Sequence, residues 1–548
     1  MSTATKNSLD NLAASLGLEE INTHEAANNM AFAMLRAIYR NPEPSDRPLE
    51  SFKKMSEFKD RSEYKASLKE YDLSIPAERA ESLELSELLQ LEERLDRIAL
   101  NKKIEAVYKE WTNGAEWVQD NDKVLSTLLL GAPGQGKTTA FKQSAQKVAN
   151  ALGLRFLLNP DENVIISRND FVFTTQEFSA ENSKMELSGL PAKTTVQDEE
   201  VMTRLIQWRL AALKKAGAGL LLLDDFPNAS PNIQNLGLSL TDEKRYQGLD
   251  LSNVYIGLTG NLGALDGTHT TKLSSALRGR CEIYYTRDTL KNFVARSRVK
   301  FNDEIADVGI LGFLEKYENH FASLPNARES GGFTSPRTWE HFIVEARRAI
   351  RDAGGRQNGM KALPTIVRKA RALLGPAVGN ELNTYLNSLM NSADPIARQA
   401  IYEGKLDETE LSRRFKNGFS SEEQHFAYQY SLALSDYAVN RISKEPTNEK
   451  VFQEVISNFG KGIIPMDQSS LGFAMDSLKN NLALRIPTLS SASGNNDRVL
   501  TMPVKQKICE YISKTPGFTE QHKETMIDAI TNADKYESTN SHRSRRSK

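Results

Sequence analysis

Gly131, Gly136, Lys137 and Thr138 stand in the spacing G-x-x-x-x-G-K-T within the stretch GAPGQGKTTA, with Gly134 as a further glycine inside it. That pattern suits a phosphate. Glycines let backbone N–H groups wrap around phosphate oxygens, a lysine brings a mobile positive charge to the β- and γ-phosphates, and a threonine hydroxyl is a ligand for Mg2+. The nucleotide-binding set read from the stretch is Gly131, Ala132, Pro133, Gly134, Gln135, Gly136, Lys137, Thr138 and Thr139. Downstream, in GLLLLDDFPNAS, four leucines end in Asp224 and Asp225. Asp224 would join Thr138 as a metal ligand, and Asp225 would orient or polarise an attacking water. The apolar run VYIGLTGN ends in Asn261, whose amide could hold that water between carboxylate and phosphate. Arg280, in ALRGRCEIYY, has no obvious carboxylate partner nearby in sequence, and a planar cation there suits the γ-phosphate of a neighbouring subunit; Arg278 is the second candidate.

These residues need a scaffold that brings strand ends together. From about 122 to 290, short apolar runs alternate with helical segments, the pattern of a parallel sheet covered by helices. The expected strands are VLSTLLL, RFLLN, FVFTT, GLLLLDD, NVYIGLTG and CEIYYT. After the glycine loop, Phe141, Ala145, Val148, Ala149 and Leu152 put an apolar stripe on a helix, so its N-terminus can dock against the sheet with its dipole aimed at an anion. Upstream, Leu85, Leu88, Leu91, Leu95 and Ile98 recur at helical spacing, read as a packing helix rather than a coiled coil because no clean heptads are sustained. The division expected is a polar accessory region at 1–80, a helical linker at 81–121, an αβ nucleotide-binding core at 122–290 and a helical lid at 291–380. A helical region at 381–484, a linker at 485–500 and a C-terminal helical segment with a basic tail at 501–548 complete it.

Composition narrows the classes. Lys and Arg number 70 against 71 Asp and Glu, a net charge of −1, so the whole molecule has no global attraction to nucleic acid or to an anionic membrane. Cys281 and Cys509 are the two cysteines, which excludes a disulfide framework and a cysteine-rich zinc site. There is no basic-then-apolar leader, and no apolar run approaches the roughly 18 residues of a membrane span. The expectation is a soluble, cytoplasmic protein.

In this order the motifs resemble those of the AAA+ ATPases, and within them the MoxR-like branch: Walker A is GAPGQGKT, Walker B LLLLDD, the sensor 1 strand GLTGN and the arginine-finger junction LRGRC. MELSGLP resembles that branch's loop after the second strand, and NIQNLGLSLTDEKRYQGLDLSNVYIGLTGN resembles its helix and hairpin before sensor 1. FTSPRTWEHF is similar to the sensor 2 region, which makes Arg337 the lid arginine. The likeness covers about 120 to 350, is weaker to about 440 and is absent beyond. It implies an α/β fold: a P-loop NTPase parallel sheet, the AAA+ core, followed by an α-helical lid, with largely helical N- and C-terminal extensions. It also implies ATP and Mg2+ as cofactors, hydrolysis at inter-subunit sites of a self-assembled ring, expected as a hexamer, and remodelling of a client or adaptor protein. The loop around Leu187, Gly189 and Leu190 is a candidate contact. ATP over GTP follows from the family and fits the lack of a guanine-reading N/T-K-x-D tetrapeptide. The departure is Asp225, where many members carry Glu: one methylene shorter, it makes water polarisation less secure than metal binding by Asp224. Two other readings stay open: a nucleic-acid motor or loader, with the basic tail SHRSRRSK and the local RSRVKF in its favour, and a nucleotide-gated scaffold.

Overall fold

The structure, a computed structural model, describes residues 18–39, 85–118, 124–178, 190–196, 199–205, 207–246, 249–266, 268, 270, 273–301, 306–323, 331–416, 421–492 and 498–531. Those residues fall into two compact units, one up to Asp288 and one from Thr289 onward.

The first unit is built on seven parallel strands. In chain order its elements are β1 (Glu19–Asn22), α1 (Thr23–Ile38), α2 (Leu85–Trp111), β2 (Ser126–Leu130), α3 (Lys137–Leu152), β3 (Arg155–Leu158) and β4 (Asp170–Glu177). There follow β5 (Leu190–Val196), β6 (Glu199–Leu205), α4 (Trp208–Lys215), β7 (Ala218–Asp224), α5 (Pro231–Glu243), β8 (Arg245–Tyr246), β9 (Leu249–Asp250), β10 (Val254–Gly260), α6 (Ser275–Arg278) and β11 (Cys281–Arg287). The sheet order is β1-β11-β2-β10-β7-β4-β3, and every pairing in it is parallel. All six strands expected from apolar runs are present. Their legibility has a physical cause: β2, β7 and β10 are buried on both faces, so they are mostly apolar, and the polar groups they carry find partners, as Thr127 of β2 does with the Tyr255 hydroxyl of β10 at 2.7 Å.

Alternation along each strand sorts its side chains to the two faces. Leu129, Leu220, Leu222 and Tyr255 pack with α1, α2 and α3, while Leu128, Leu221, Leu223, Val254, Ile256 and Leu258 pack with α4, α5 and Phe226. Gly257 on β10 lies under the ring of Phe141 on α3: a Cβ there would stand 2.3 Å from Phe141 Cε1. That missing methyl lets α3 lie close on the sheet and sets the height of its N-terminus.

One boundary differs from the sequence reading, which set residues 1–80 apart from a core beginning at about 122. β1 pairs with β11 in register from Glu19↔Tyr284 to Asn22↔Arg287, and α1 buries Ala27, Met30, Ala31, Met34 and Leu35 in the core shared with α3. Four residues of strand are too short to announce themselves as a period. The expected helix at 85 is α2; its Leu100, Ile104 and Val107 are buried in the same core.

The second unit is helical: α7 (Leu290–Phe301), α8 (Gly312–Lys316), α9 (Pro336–Asp352), α10 (Gly359–Leu374), α11 (Pro376–Ser388), α12 (Asp394–Glu403), α13 (Glu408–Lys416), α14 (Ser421–Lys444), α15 (Glu449–Ile463), α16 (Gln468–Arg485), α17 (Met502–Ser513) and α18 (Glu520–Thr531). One hydrophobic core runs from Phe293 to Ile530, so the expected divisions near 380 and at 485–500 do not separate cores. The stretch after Arg485 forms a short 3-10 turn, Pro487–Leu489, and two paired strands, Ser490–Ala492 and Arg498–Leu500. The basic tail lies outside the described residues.

Candidate functional site

The site is assembled where β2, β10 and β7 end side by side. Register aligns Leu130 of β2 with Gly260 of β10, and Leu258 of β10 with Leu223 of β7. Parallel strands in that register deliver Gly131, Asn261 and Asp224 to one edge of the sheet.

Gly134 and Gly136 take left-handed φ values of 80° and 81°, open to glycine at little cost. Gly131 is glycine for a different reason: a Cβ would lie 2.4 Å from the Thr286 carbonyl oxygen on β11. With Gly136 as its cap, α3 begins at Lys137, which is buried. The Lys137 ammonium donates to the carbonyls of Gly131 at 2.7 Å and Ala132 at 3.1 Å and to Asn261 Oδ1 at 3.0 Å. Thr138 Oγ1 donates to the Asp224 carboxylate at 3.1 and 3.3 Å. Thr139, next on the helix, is exposed, and Pro133 is partly buried.

Asp225 is one of few non-glycine residues with positive φ, 53°. That left-handed turn comes directly after the end of β7 at Asp224, and Asp is among the few non-glycine residues that adopt it readily. Asn261 Nδ2 donates to Asp225 Oδ1 at 3.1 Å, so Asn261 bridges Lys137 and Asp225. Behind Asp225, Phe226 is buried edge-on against Phe178 with centroids 5.0 Å apart and covers Gly237 of α5. These contacts anchor the turn that carries the carboxylate.

Three contributors lay outside the sequence-derived site. Thr259 donates a short hydrogen bond to Asp224 Oδ1 and accepts from the Asp225 backbone N–H at 3.0 Å, so one hydroxyl orients both acids. A lone polar residue near the end of an apolar strand was the available signal. Thr23, at the start of α1, donates to the Gln135 carbonyl at 3.2 Å. The Asp288 N–H donates to Gln135 Oε1 at 3.1 Å. At sequence separations of 112 and 153, no local pattern reveals these two contacts.

Arg280 has a partner from a distant part of the chain. Sequence offered it no partner, yet its Nε pairs with Asp242 Oδ2 of α5 at 3.1 Å and its Nη1 donates to the Ala276 carbonyl. The partner was missed because it sits on another helix, 38 residues upstream. Arg278, on α6, is exposed. Arg337 is exposed near the start of α9 in the second unit, where Ser335 and Thr338 form a capping box. Leu187 and Gly189 lie outside the described residues; Leu190 opens β5, which pairs with β6.

The donor set tests whether a nucleotide and its metal fit. A threonine hydroxyl beside one carboxylate is a hard-oxygen pair suited to Mg2+, which takes few protein ligands and completes its shell with phosphate and water. Among the described residues no cluster of three His, Cys, Asp or Glu offers an all-protein metal cage, as that mode of binding requires none. The buried lysine and the N-terminus of a 16-residue helix are suited to phosphate.

No family model matches the chain. A stretch of 198 residues is 27% identical to the chaperone protein ClpB of Aquifex aeolicus, amounting to 35% of this chain and 18% of that protein. The likeness is to an AAA+ ATPase. The chain thus matches under a fifth of the length of that relative. Among solved structures, a RuvB mutant of Thermotoga maritima aligns at 14% identity over 61% of this chain and 87% of its own, with a TM-score of 0.24. Cdc6p of Pyrobaculum aerophilum aligns at 13% identity over 75% of this chain and 93% of its own, also with a TM-score of 0.24. At such TM-scores the two superpositions carry no further argument. Among the described residues no helix is long and apolar enough to cross a membrane.

Proposed function

We propose that the chain is a MoxR-like AAA+ ATPase, which binds ATP with Mg2+, hydrolyses it at sites shared between neighbouring copies in a ring, and uses the resulting motion to remodel a partner protein. One arrangement carries this assignment: Lys137, Thr138, Asp224, Asp225 and Asn261 converge within hydrogen-bond distance at the ends of three adjacent parallel strands. The helix α5 followed by the β8–β9 hairpin just before β10 supports the MoxR-like branch.

The roles follow from the chemistry of each group. Lys137 would exchange its carbonyl partners for phosphate oxygens, and the N–H groups of the glycine loop would hold the rest of the phosphate chain. Thr138 and Asp224 would hold the metal ion, which supplies charge neutralisation on the phosphate oxygens when bound. Asp225, turned by its backbone and held by Asn261, would orient the water. Arg280 would be presented to the next copy. Its ion pair with Asp242 is about one-third exposed on each side, and such a pair is worth only about 0–1 kcal/mol, so exchange for a phosphate costs little. Arg337 enters as the lid arginine through the resemblance alone.

Phosphate release, binding of a fluorescent ATP analogue and light scattering test the assignment together. Lys137→Ala should lose binding. Asp225→Asn should bind ATP and turn over about 10² to 10⁴-fold more slowly. The wild type with ATP should scatter as a closed oligomer. Undiminished turnover in Asp225→Asn would sink the hydrolytic role, and full activity in a monomer would sink the shared site.

A further inference from the structure

A second set of cations takes no part in the nucleotide site. Residues 338–374, which leave out the lid arginine Arg337, contain eight Lys and Arg against three Asp and Glu in a chain of net charge −1; of the eight, Arg356 is spent on Asp394 and Asp436. Burial decides where they point. On α9 the buried Trp339, Phe342, Ile343, Ala346 and Ile350 face the core, and Arg348 and Arg351 lie on the opposite, exposed side. On α10 the buried Ala362, Leu363, Ile366, Val367 and Ala370 face inward, and Lys361, Arg368 and Arg371 are exposed. The two helices pack on each other and are tied by the Lys369–Glu345 ion pair at 3.0 Å. Their outward faces therefore form one basic surface.

The acidic residues do little to neutralise it. Glu345 is engaged by Lys369 and, at 2.5 Å, by Arg348; the Lys369 hydrogen bond leads the causes that hold its carboxyl below the usual range. Glu340 is taken by Lys300 and Arg296 of α7. That leaves Asp352 at the end of α9. Arg351, Lys361 and Arg368 make no side-chain hydrogen bond or ion pair with any described residue. Arg368 and Arg371, three residues apart, are helical neighbours of like charge, an arrangement that disfavours the helix and that a polyanion would relieve. The stretch RSRVKF, by contrast, is largely spent internally: Arg298 is held by Glu315 at 2.9 Å and Lys300 by Glu340.

We propose that the outward face of α9 and α10 binds the phosphate backbone of double-stranded nucleic acid without reading its sequence. Guanidinium groups match phosphate geometry as two-pronged donors. Two rows of cations about 8–10 Å apart lie against a polymer whose duplex carries one charge per about 1.7 Å of axis. The large aromatics of α9, Trp339 and Phe342, are buried, so this face lacks the stacking platforms on which single strands rely. Backbone contact is what it offers. This site is independent of the ATPase assignment: a chain that never hydrolyses ATP would still carry it.

The test is fluorescence anisotropy of a labelled 30-base-pair duplex with the full chain over a salt series. The triple variant Arg351→Glu, Lys361→Glu, Arg368→Glu should bind at least tenfold more weakly at low salt. Its slope of log K against log salt should be shallower by about 0.9 for each phosphate no longer neutralised. Arg351→Lys with Arg368→Lys should keep most of the wild-type slope, which separates the effect of charge from that of folding. A chain with Arg543, Arg545 and Arg546 changed to Ser should also retain binding. The proposal is overturned if the wild type fails to bind duplex at low salt, if the triple Glu variant binds unchanged, if the tail variant alone loses binding, or if poly-glutamate competes as well as duplex does.

Discussion

Thr259 shows how much a single hydroxyl can settle: it touches Asp224 through its proton and the Asp225 N–H through its lone pair. Removing a group that orients a metal ligand commonly costs about 10 to 100-fold in affinity or activity. Thr259→Val, nearly the same in volume, should therefore raise the Mg2+ needed for half-maximal ATP turnover by about tenfold; a magnesium titration with an unshifted midpoint would remove Thr259 from the site. The two arginines of the α6–β11 junction invite a side-by-side measurement. Arg280→Ala should lower turnover about 10³-fold or more and leave nucleotide affinity unchanged, with Arg278→Ala milder. If Arg280→Ala lowers only the melting temperature, Arg280 is a structural partner of Asp242, and the exposed Arg278 takes over the candidate role.

Among the elements, α3 is placed by Gly257 and Phe141, and α1 by a strand of four residues on the far edge of the sheet. In the helical unit, α8 meets α14 through Lys316 and His425, whose side chains are in hydrogen-bond contact. Burial lowers Lys316 to about 8, and burial together with the Lys316 charge lowers His425 from 6.5 to about 4. Between pH 6.5 and 4 the unfolded chain therefore takes up a proton at His425 that the folded chain resists. Stability falls as pH drops through that window. Denaturant unfolding of His425→Gln should show a shallower decline across the same range; an identical pH profile in wild type and variant would exclude His425 as its source.

Across the whole helical unit one core is pinned by buried charge. Arg485 and Asp436 meet at 2.7 Å with side chains 0% and 1% exposed, Arg356 reaches both Asp436 and Asp394, and Tyr437 donates to Asp394 at 3.0 Å. Removing one member strands a buried charge. Asp436→Ala should cost about 3–5 kcal/mol, read as a lower midpoint in chemical denaturation followed by the fluorescence of Trp339. A change below about 1 kcal/mol would mean that water reaches the guanidinium groups.

The sequence by itself determined the parallel sheet and the nucleotide candidates, because both are local in their cause. A strand buried on both faces must be mostly apolar, and a phosphate loop must place glycine, lysine and threonine within eight residues. What only the tertiary structure decided were relations across long intervals of chain. β1 and α1 complete the sheet, Thr259 serves both acids, Asp242 claims Arg280, and the cations of α9 and α10 share one face. Each depends on which elements become neighbours in space, and no short-range period or spacing encodes that.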